Sequence, residues 1–236
     1  MIKIEGLHKK FGKNPVLNGI DLEVMEGETF AILGPNGSGK TTLIKSILGM
    51  VLPTSGSISV QGNPLQKSFK YRRQIDYLPQ IANFPNNLSV KELIDMIKDL
   101  RGNTESQEEY LIQLFGLGSF LHKKMNTLSG GTRQKVNIVL ALMFDTPILV
   151  LDEPTTGLDP ASLIQLKDLI ATEKKKGKTI LITSHIMSFV EEVTNNLVFL
   201  LEGKIYFKGT IEALKAQTGE TNFEHAIAAL FSKEHA

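Results

Sequence analysis

Cysteine is absent from these 236 residues. Disulfides and thiol catalysis are therefore excluded, which is compatible with a cytosolic site. Charge of one sign is also missing: 26 Lys and Arg face 25 Asp and Glu, for a net charge of +1. A balance this even gives no general electrostatic attraction for nucleic acid or a lipid surface. The one basic run, Lys174-Lys175-Lys176, reads as a solvated helix end. No hydrophobic stretch approaches the length of a membrane-spanning helix, and the best candidate, Val136–Phe144, is short and contains Asn137. Met1 leads straight into an alternating, strand-like segment and not into a signal peptide. Internal repeats and low-complexity tracts are missing as well. A hydrophobic content of 42% over this length supports one large domain with a substantial core.

Glycine, by contrast, is placed with a pattern. Residues 34–42 read Gly-Pro-Asn-Gly-Ser-Gly-Lys-Thr-Thr. The apolar run Thr29–Leu33 precedes them and a helical-looking Thr41–Met50 follows, the strand–loop–helix context that a phosphate-binding loop requires. Glycines 34, 37 and 39 allow backbone N–H groups to converge on phosphate oxygens, and the helix adds its positive end. Pro35, Asn36 and Ser38 complete the loop, with Thr42 behind it. Lys40 can reach the β- and γ-phosphates of a nucleotide, and the Thr41 hydroxyl can take Mg²⁺.

The remaining segments suggest an α/β chain. Ile2-Lys3-Ile4 and Ile20–Val24 alternate as half-buried antiparallel strands do, and Ile58-Ser59-Val60 followed by Gln61–Pro64 reads as a strand and turn. Ile148–Leu151 and Thr179–Thr183 are continuous apolar or β-branched runs suited to parallel strands covered on both faces. Between them, Pro160–Lys176 carries Leu163, Leu166, Leu169 and Ile170 on one helical face. Residues 89–144 read as mostly helical, with Ser89 as N-cap and Glu92 three residues later. Residues 210–236 read as two short helices.

Asp152 and Glu153 end the run 148–151. Strand alternation would send them to opposite faces, Asp152 toward Mg²⁺ and Glu153 toward a base or water-positioning role; two solvated turn residues are the simpler alternative. Ser129-Gly130-Gly131, ahead of the apolar helix 132–144, offers either a second anion site or a plain N-cap.

Taken in order, these motifs resemble the ATP-binding subunit of an ABC transporter over nearly the whole chain. The phosphate loop is 34–42. Gln80 follows Tyr77-Leu78-Pro79, as in the family's glutamine loop. Leu128-Ser129-Gly130-Gly131-Thr132-Arg133-Gln134 is similar to the family signature, with Thr132 where Gln is common. Gly157-Leu158-Asp159 matches the loop that crosses the dimer interface, and His185 the switch histidine. Phe11 stands where the family stacks an aromatic, often Tyr, on adenine. Singly, Phe11 could be core, Gln80 a loop residue and His185 a helix cap. The resemblance implies a P-loop NTPase core with a mainly parallel sheet, an N-terminal antiparallel β subdomain, an inserted helical subdomain over about 81–144 and a helical appendix over about 210–236, all in one domain, 1–236. It implies ATP and Mg²⁺ as ligands, the ion held by Thr41, Gln80 and the phosphates with Asp152 in support. Glu153 would polarise water and His185 would stabilise the γ-phosphate charge. It further implies a second copy, or a homologous subunit, pairing head to tail so that Ser129 and Gly131 touch the partner's nucleotide. A transmembrane permease would hold the subunit on the cytoplasmic face of the membrane, beside the region 80–88, with no nucleic-acid partner. The tail 209–214 is similar to stand-alone subunits of bacterial export systems, and the stretch 75–89 to the ATPase of nitrous-oxide-reductase maturation systems. A soluble ABC ATPase is the alternative, but it would carry a long coiled coil, and no sustained heptad run separates Gln80 from Ser129. A P-loop phosphotransferase would leave the signature and Asp159 without a use.

Overall fold

The structure, a computed structural model, describes residues 1–65, 69–102 and 105–232, so the last four residues of the expected appendix and positions 103–104 of the expected helical block lie outside it. Two sheets organise the chain. The first is antiparallel, in the order β2-β1-β4-β5, from β1 (Ile2–Phe11), β2 (Asn14–Val24), β4 (Ser55–Val60) and the two-residue β5 (Asn63–Pro64). The alternation at 2–4 and 20–24 meets across one register, Ile2 opposite Val24 and Ile4 opposite Leu22. Both strands run further than the alternation alone suggests, because Gly12 at φ 59° lets the chain reverse tightly between them.

The second sheet has the order β10-β9-β3-β8-β7-β6. It comprises β3 (Thr29–Leu33), β6 (Ile75–Leu78), β7 (Ile148–Asp152), β8 (Thr179–Thr183), β9 (Asn196–Leu201) and β10 (Lys204–Thr210). All neighbours are parallel except β10, which returns antiparallel along β9 as an edge strand. The expected strand–helix–strand unit is present: β7 and β8 pair directly, joined by α5 (Pro160–Lys175).

Pleating divides the sheet's side chains between two cores. Ala31, Leu33, Leu149, Leu151, Ile180 and Ile182 pack with the helices α4 (Gly130–Leu142), α5 and α6 (Met187–Val193). Phe30, Ile32, Ile148, Val150 and Leu181 pack against α1 (Lys40–Ile47) and the antiparallel sheet. β3 is buried at all five positions, which places its C-terminal end, and the glycine loop after it, in the middle of the molecule. Between β6 and β7 lie α2 (Val90–Leu100), α3 (Glu108–Leu114) and α4. These helices have 11, 7 and 13 residues, too short for a coiled-coil arm. Ser89 and Glu92 close a capping box on α2, as their spacing suggests. Two helices, α7 (Ile211–Thr218) and α8 (Phe223–Ser232), follow β10. No helix among the described residues is long and apolar enough to cross a membrane.

Candidate functional site

The glycine loop leaves the buried end of β3 and turns into α1. Gly34, at φ 146°, lies so close to the backbone of β9 that a Cβ would run into the Leu200 carbonyl oxygen. A Cβ on Gly39, at φ 106°, would meet the Val16 carbonyl oxygen and the Leu17 side chain, both at 2.9 Å. These two glycines are therefore required by close backbone approach, whereas Gly37, at φ 83°, has open space around it and serves the turn itself. Lys40 folds back over the loop, donating to the carbonyl oxygens of Gly34 (2.7 Å) and Pro35 (2.9 Å). Half-burial pushes the Lys40 ammonium below its ordinary value, and the carboxylates of Glu153 and Asp152 act in the opposite sense.

Across from the loop stand the acids at the end of β7. A cleft of about 430 Å³ separates the two and is lined by Val16, Asn36, Gly37, Gly39, Lys40, Thr41, Thr42, Gln80, Asp152 and Glu153. Gln80 reaches it from the loop just beyond β6. Thr183, at the end of β8, organises the acids: its hydroxyl donates to Asp152 Oδ1 at 2.6 Å and accepts from the Glu153 N–H at 3.0 Å. The second Asp152 oxygen is buried without a hydrogen-bond partner, as is the Ser38 hydroxyl. Glu153 corrects the alternation argument. It does not continue the strand but sits at φ 51°, a left-handed conformation rarely adopted outside glycine. The backbone bond to Thr183 holds this turn and directs the carboxylate to His185, whose Nδ1 lies 2.7 Å from Glu153 Oε2. His185 is 70% exposed in its side chain.

Other expected site residues lie apart from this cleft. Ser129 caps α4, its Oγ accepting from the Thr132 N–H at 3.3 Å and lying 2.9 Å from the Thr132 hydroxyl. Neither it nor Gly130 nor Gly131 lines the cleft. Asp159 caps α5 by accepting from the Ser162 N–H at 2.9 Å, and pairs with Lys135 at 2.7 Å. The Lys135 ammonium, with the Ser162 amide, holds the Asp159 carboxyl well below the usual carboxylate range. Phe11 is no core residue: it is 51% exposed at the end of β1, with the Lys9 ammonium 4.8 Å from its ring. Thr183, Val16 and Lys135 are the positions that sequence reasoning left out. Thr183 carries a signal in retrospect, a hydroxyl at the end of a buried strand, while Val16 and Lys135 carry none.

A parallel sheet with a glycine loop at the end of a central strand, opposed by paired acids at the end of a neighbouring one, defines a P-loop nucleotide-binding cassette. The family model described as "ABC transporter" matches residues 17–156. The lantibiotic transport ATP-binding protein SrtF of Streptococcus pyogenes is 34% identical over 95% of this chain and 94% of its own length. The Nod factor export ATP-binding protein I of Burkholderia lata is 34% identical over 90% of this chain and 72% of its own. Among solved structures, an ATP-binding subunit of an ABC transporter superposes with a TM-score of 0.91 at 30% identity, covering 98% of this chain and 99% of that one. An ATP-binding cassette solved as a dimer in a post-hydrolysis state with ADP and Pi superposes with a TM-score of 0.78 at 26% identity, over 89% of this chain and 98% of its own. This chain belongs to the ABC transporter family, as an ATP-binding subunit.

Proposed function

We propose that the chain binds ATP with Mg²⁺ in the cleft between the glycine loop and β7, hydrolyses it in a site completed by a second copy, and thereby drives a separate transmembrane permease. One observation carries this reading. A single chain presents backbone N–H donors at two places suited to an anion, the loop 34–42 and the N-terminal edge of α4, and only the first lines the cleft. The second caps α4 through Ser129 and lies outside the cleft, where a nucleotide held by another chain would reach it. The dimeric neighbour with ADP and Pi and the export and transport relatives support the same assembly.

Within the cleft, backbone N–H groups of the loop and the start of α1 would cradle the β- and γ-phosphates, and Lys40 would exchange its two carbonyl partners for phosphate oxygens. The donor set fits a hard divalent ion. Thr41 and Gln80 line the cleft, and Asp152 keeps one buried oxygen unpartnered. No group of three or more His, Asp or Glu able to hold a metal alone exists among the described residues, so phosphate oxygens would complete the set. When bound, the ion would neutralise charge on the β/γ oxygens. Glu153 is the base: its Oε2 is held by His185, and we assign its other oxygen to the attacking water. His185 would aim its Nε2 toward the γ-phosphate of the same nucleotide. Phe11 would stack on adenine, and Ser129, Gly130, Gly131 and Asp159 would face the partner's nucleotide. Closure of two cassettes around ATP is a population shift, which requires ATP to favour the closed state.

The permease reading fits a subunit held at the cytoplasmic face of the membrane. Affinity capture of the tagged chain from detergent-solubilised membranes tests it. The expected result is a stoichiometric polytopic membrane protein in the eluate; an eluate containing the chain alone would overturn it.

A further inference from the structure

Three contacts join the first two turns of α4 to the loop 154–159. A Cβ on Gly131 would lie 2.7 Å from the Gly157 carbonyl oxygen, so the backbones touch there. Gln134 Nε2 donates to the Pro154 carbonyl oxygen at 3.2 Å, and Asn137 steadies that amide by donating to Gln134 Oε1 at 3.3 Å. Lys135 Nζ pairs with Asp159 Oδ2 at 2.7 Å. Positions 131, 134 and 135 share one helical face, and they touch the loop in its middle, at its start and at its end, respectively. The loop begins one residue after Glu153. Asp159 simultaneously caps α5 through Ser162, so the Lys135 pair ties α4, the loop and α5 at one point.

We infer that Lys135 is a positioning residue, which locks the Ser129–Gly131 edge to the loop behind Glu153 so that the two move as one piece. The inference rests on the two-chain reading above. Under that reading the edge serves the partner's nucleotide and Glu153 serves the chain's own. A rigid join between them makes closure on one ATP set the geometry at the other. The Gln134 and Gly131 contacts fix the distance between helix and loop, and the ion pair fixes the loop's far end, where Asp159 is half exposed. A pair with one partner this exposed contributes little to stability. Its loss should therefore leave folding intact and disturb alignment, to which rates are far more sensitive.

The test is a double-variant cycle of Lys135→Met and Asp159→Asn, with Lys135→Arg as the conservative variant. Asn keeps the α5 cap, and Met keeps the apolar stem of Lys. Lys135→Met is expected to lower kcat about tenfold or more with Tm and the KM for ATP little changed, and Asp159→Asn to lower kcat about tenfold or more with Tm little changed. The double variant should be no slower than the slower single, and Lys135→Arg should restore most of kcat. Wild-type kcat in Lys135→Met, or losses that multiply in the double variant, would overturn the proposal. Failure of the two-chain reading shows elsewhere, as wild-type hydrolysis by Ser129→Arg.

Discussion

At the scale of single residues, Glu153 is fixed twice, its backbone by Thr183 and its carboxylate by His185. Glu153→Gln keeps the shape and removes the base, so kcat should fall by ~10²–10⁴ while ATP-dependent dimers accumulate. Steady-state hydrolysis and light scattering read the two effects; near-normal turnover would remove Glu153 from the role of base. Thr183→Val tests the other attachment. It strips the hydroxyl from Asp152 Oδ1 and from the Glu153 N–H at a site that is fully buried. The expected cost is ~1–3 kcal/mol of unfolding free energy, with a lower kcat as the strained turn loosens. Denaturation and kinetics on one preparation would check both, and an unchanged kcat would show that the turn holds without Thr183. Phe11, being half exposed, is expected to give a different pattern on truncation. Phe11→Ala should leave Tm alone and raise KM for ATP and GTP alike, since stacking is worth ~1–3 kcal/mol per base and does not select the base. An unmoved KM for both nucleotides would exclude the ring from the nucleotide site.

At the scale of elements, Asp76 on β6 links the sheet to α2. It pairs with Arg101, at the end of that helix, at 3.1 Å. Burial is the largest influence on its carboxyl and pushes it up to about 7; the Arg101 and Lys178 cations pull the other way, and Asp145 adds to the rise. The folded state then binds a proton that the unfolded chain has already released above pH ~4, so this group lowers stability as pH rises from ~4 through about 7. Asp76→Asn removes that slope. Its Tm relative to wild type is expected to climb steadily between pH 5 and pH 8, and a constant offset would mean that Asp76 is ionised throughout. The same elements show what sequence could reveal. The unit β7–α5–β8 was legible because both strands are continuous apolar or β-branched runs but for the terminal Asp152 and α5 carries its stripe of leucines. The capping box of α2 was legible because two residues at fixed spacing suffice. The β9–β10 hairpin was not anticipated, although Glu202-Gly203 at φ 47° and 73° forms its turn between Leu201 and Lys204. The short β6 and α3 carry too few residues to display a period. In the site, the loop 34–42 was legible from glycine spacing, but the orientation of Glu153 was not. Its left-handed turn depends on Thr183, 30 residues away along the chain.

At the scale of the whole molecule, the central sheet gathers the glycine loop, Gln80 and both acids into one cleft and leaves the edge of α4 outside it. Motif order made the glycine loop and the edge of α4 stand out in the sequence; that they do not meet within one chain is a property of the fold, which sequence spacing does not encode. In the proposed assembly, the edge Ser129–Gly131 completes the cleft of a second copy. Ser129→Arg puts bulk and charge where the partner's γ-phosphate would sit, and it leaves the chain's own glycine loop untouched. The most direct measurement is therefore made on purified Ser129→Arg, with ATP affinity, ATP-dependent dimerisation and steady-state hydrolysis determined side by side. The expected result is wild-type affinity for ATP in the monomer, no dimer and no hydrolysis. Hydrolysis at the wild-type rate would contradict the claim, because the active site would then be complete without the second chain's edge.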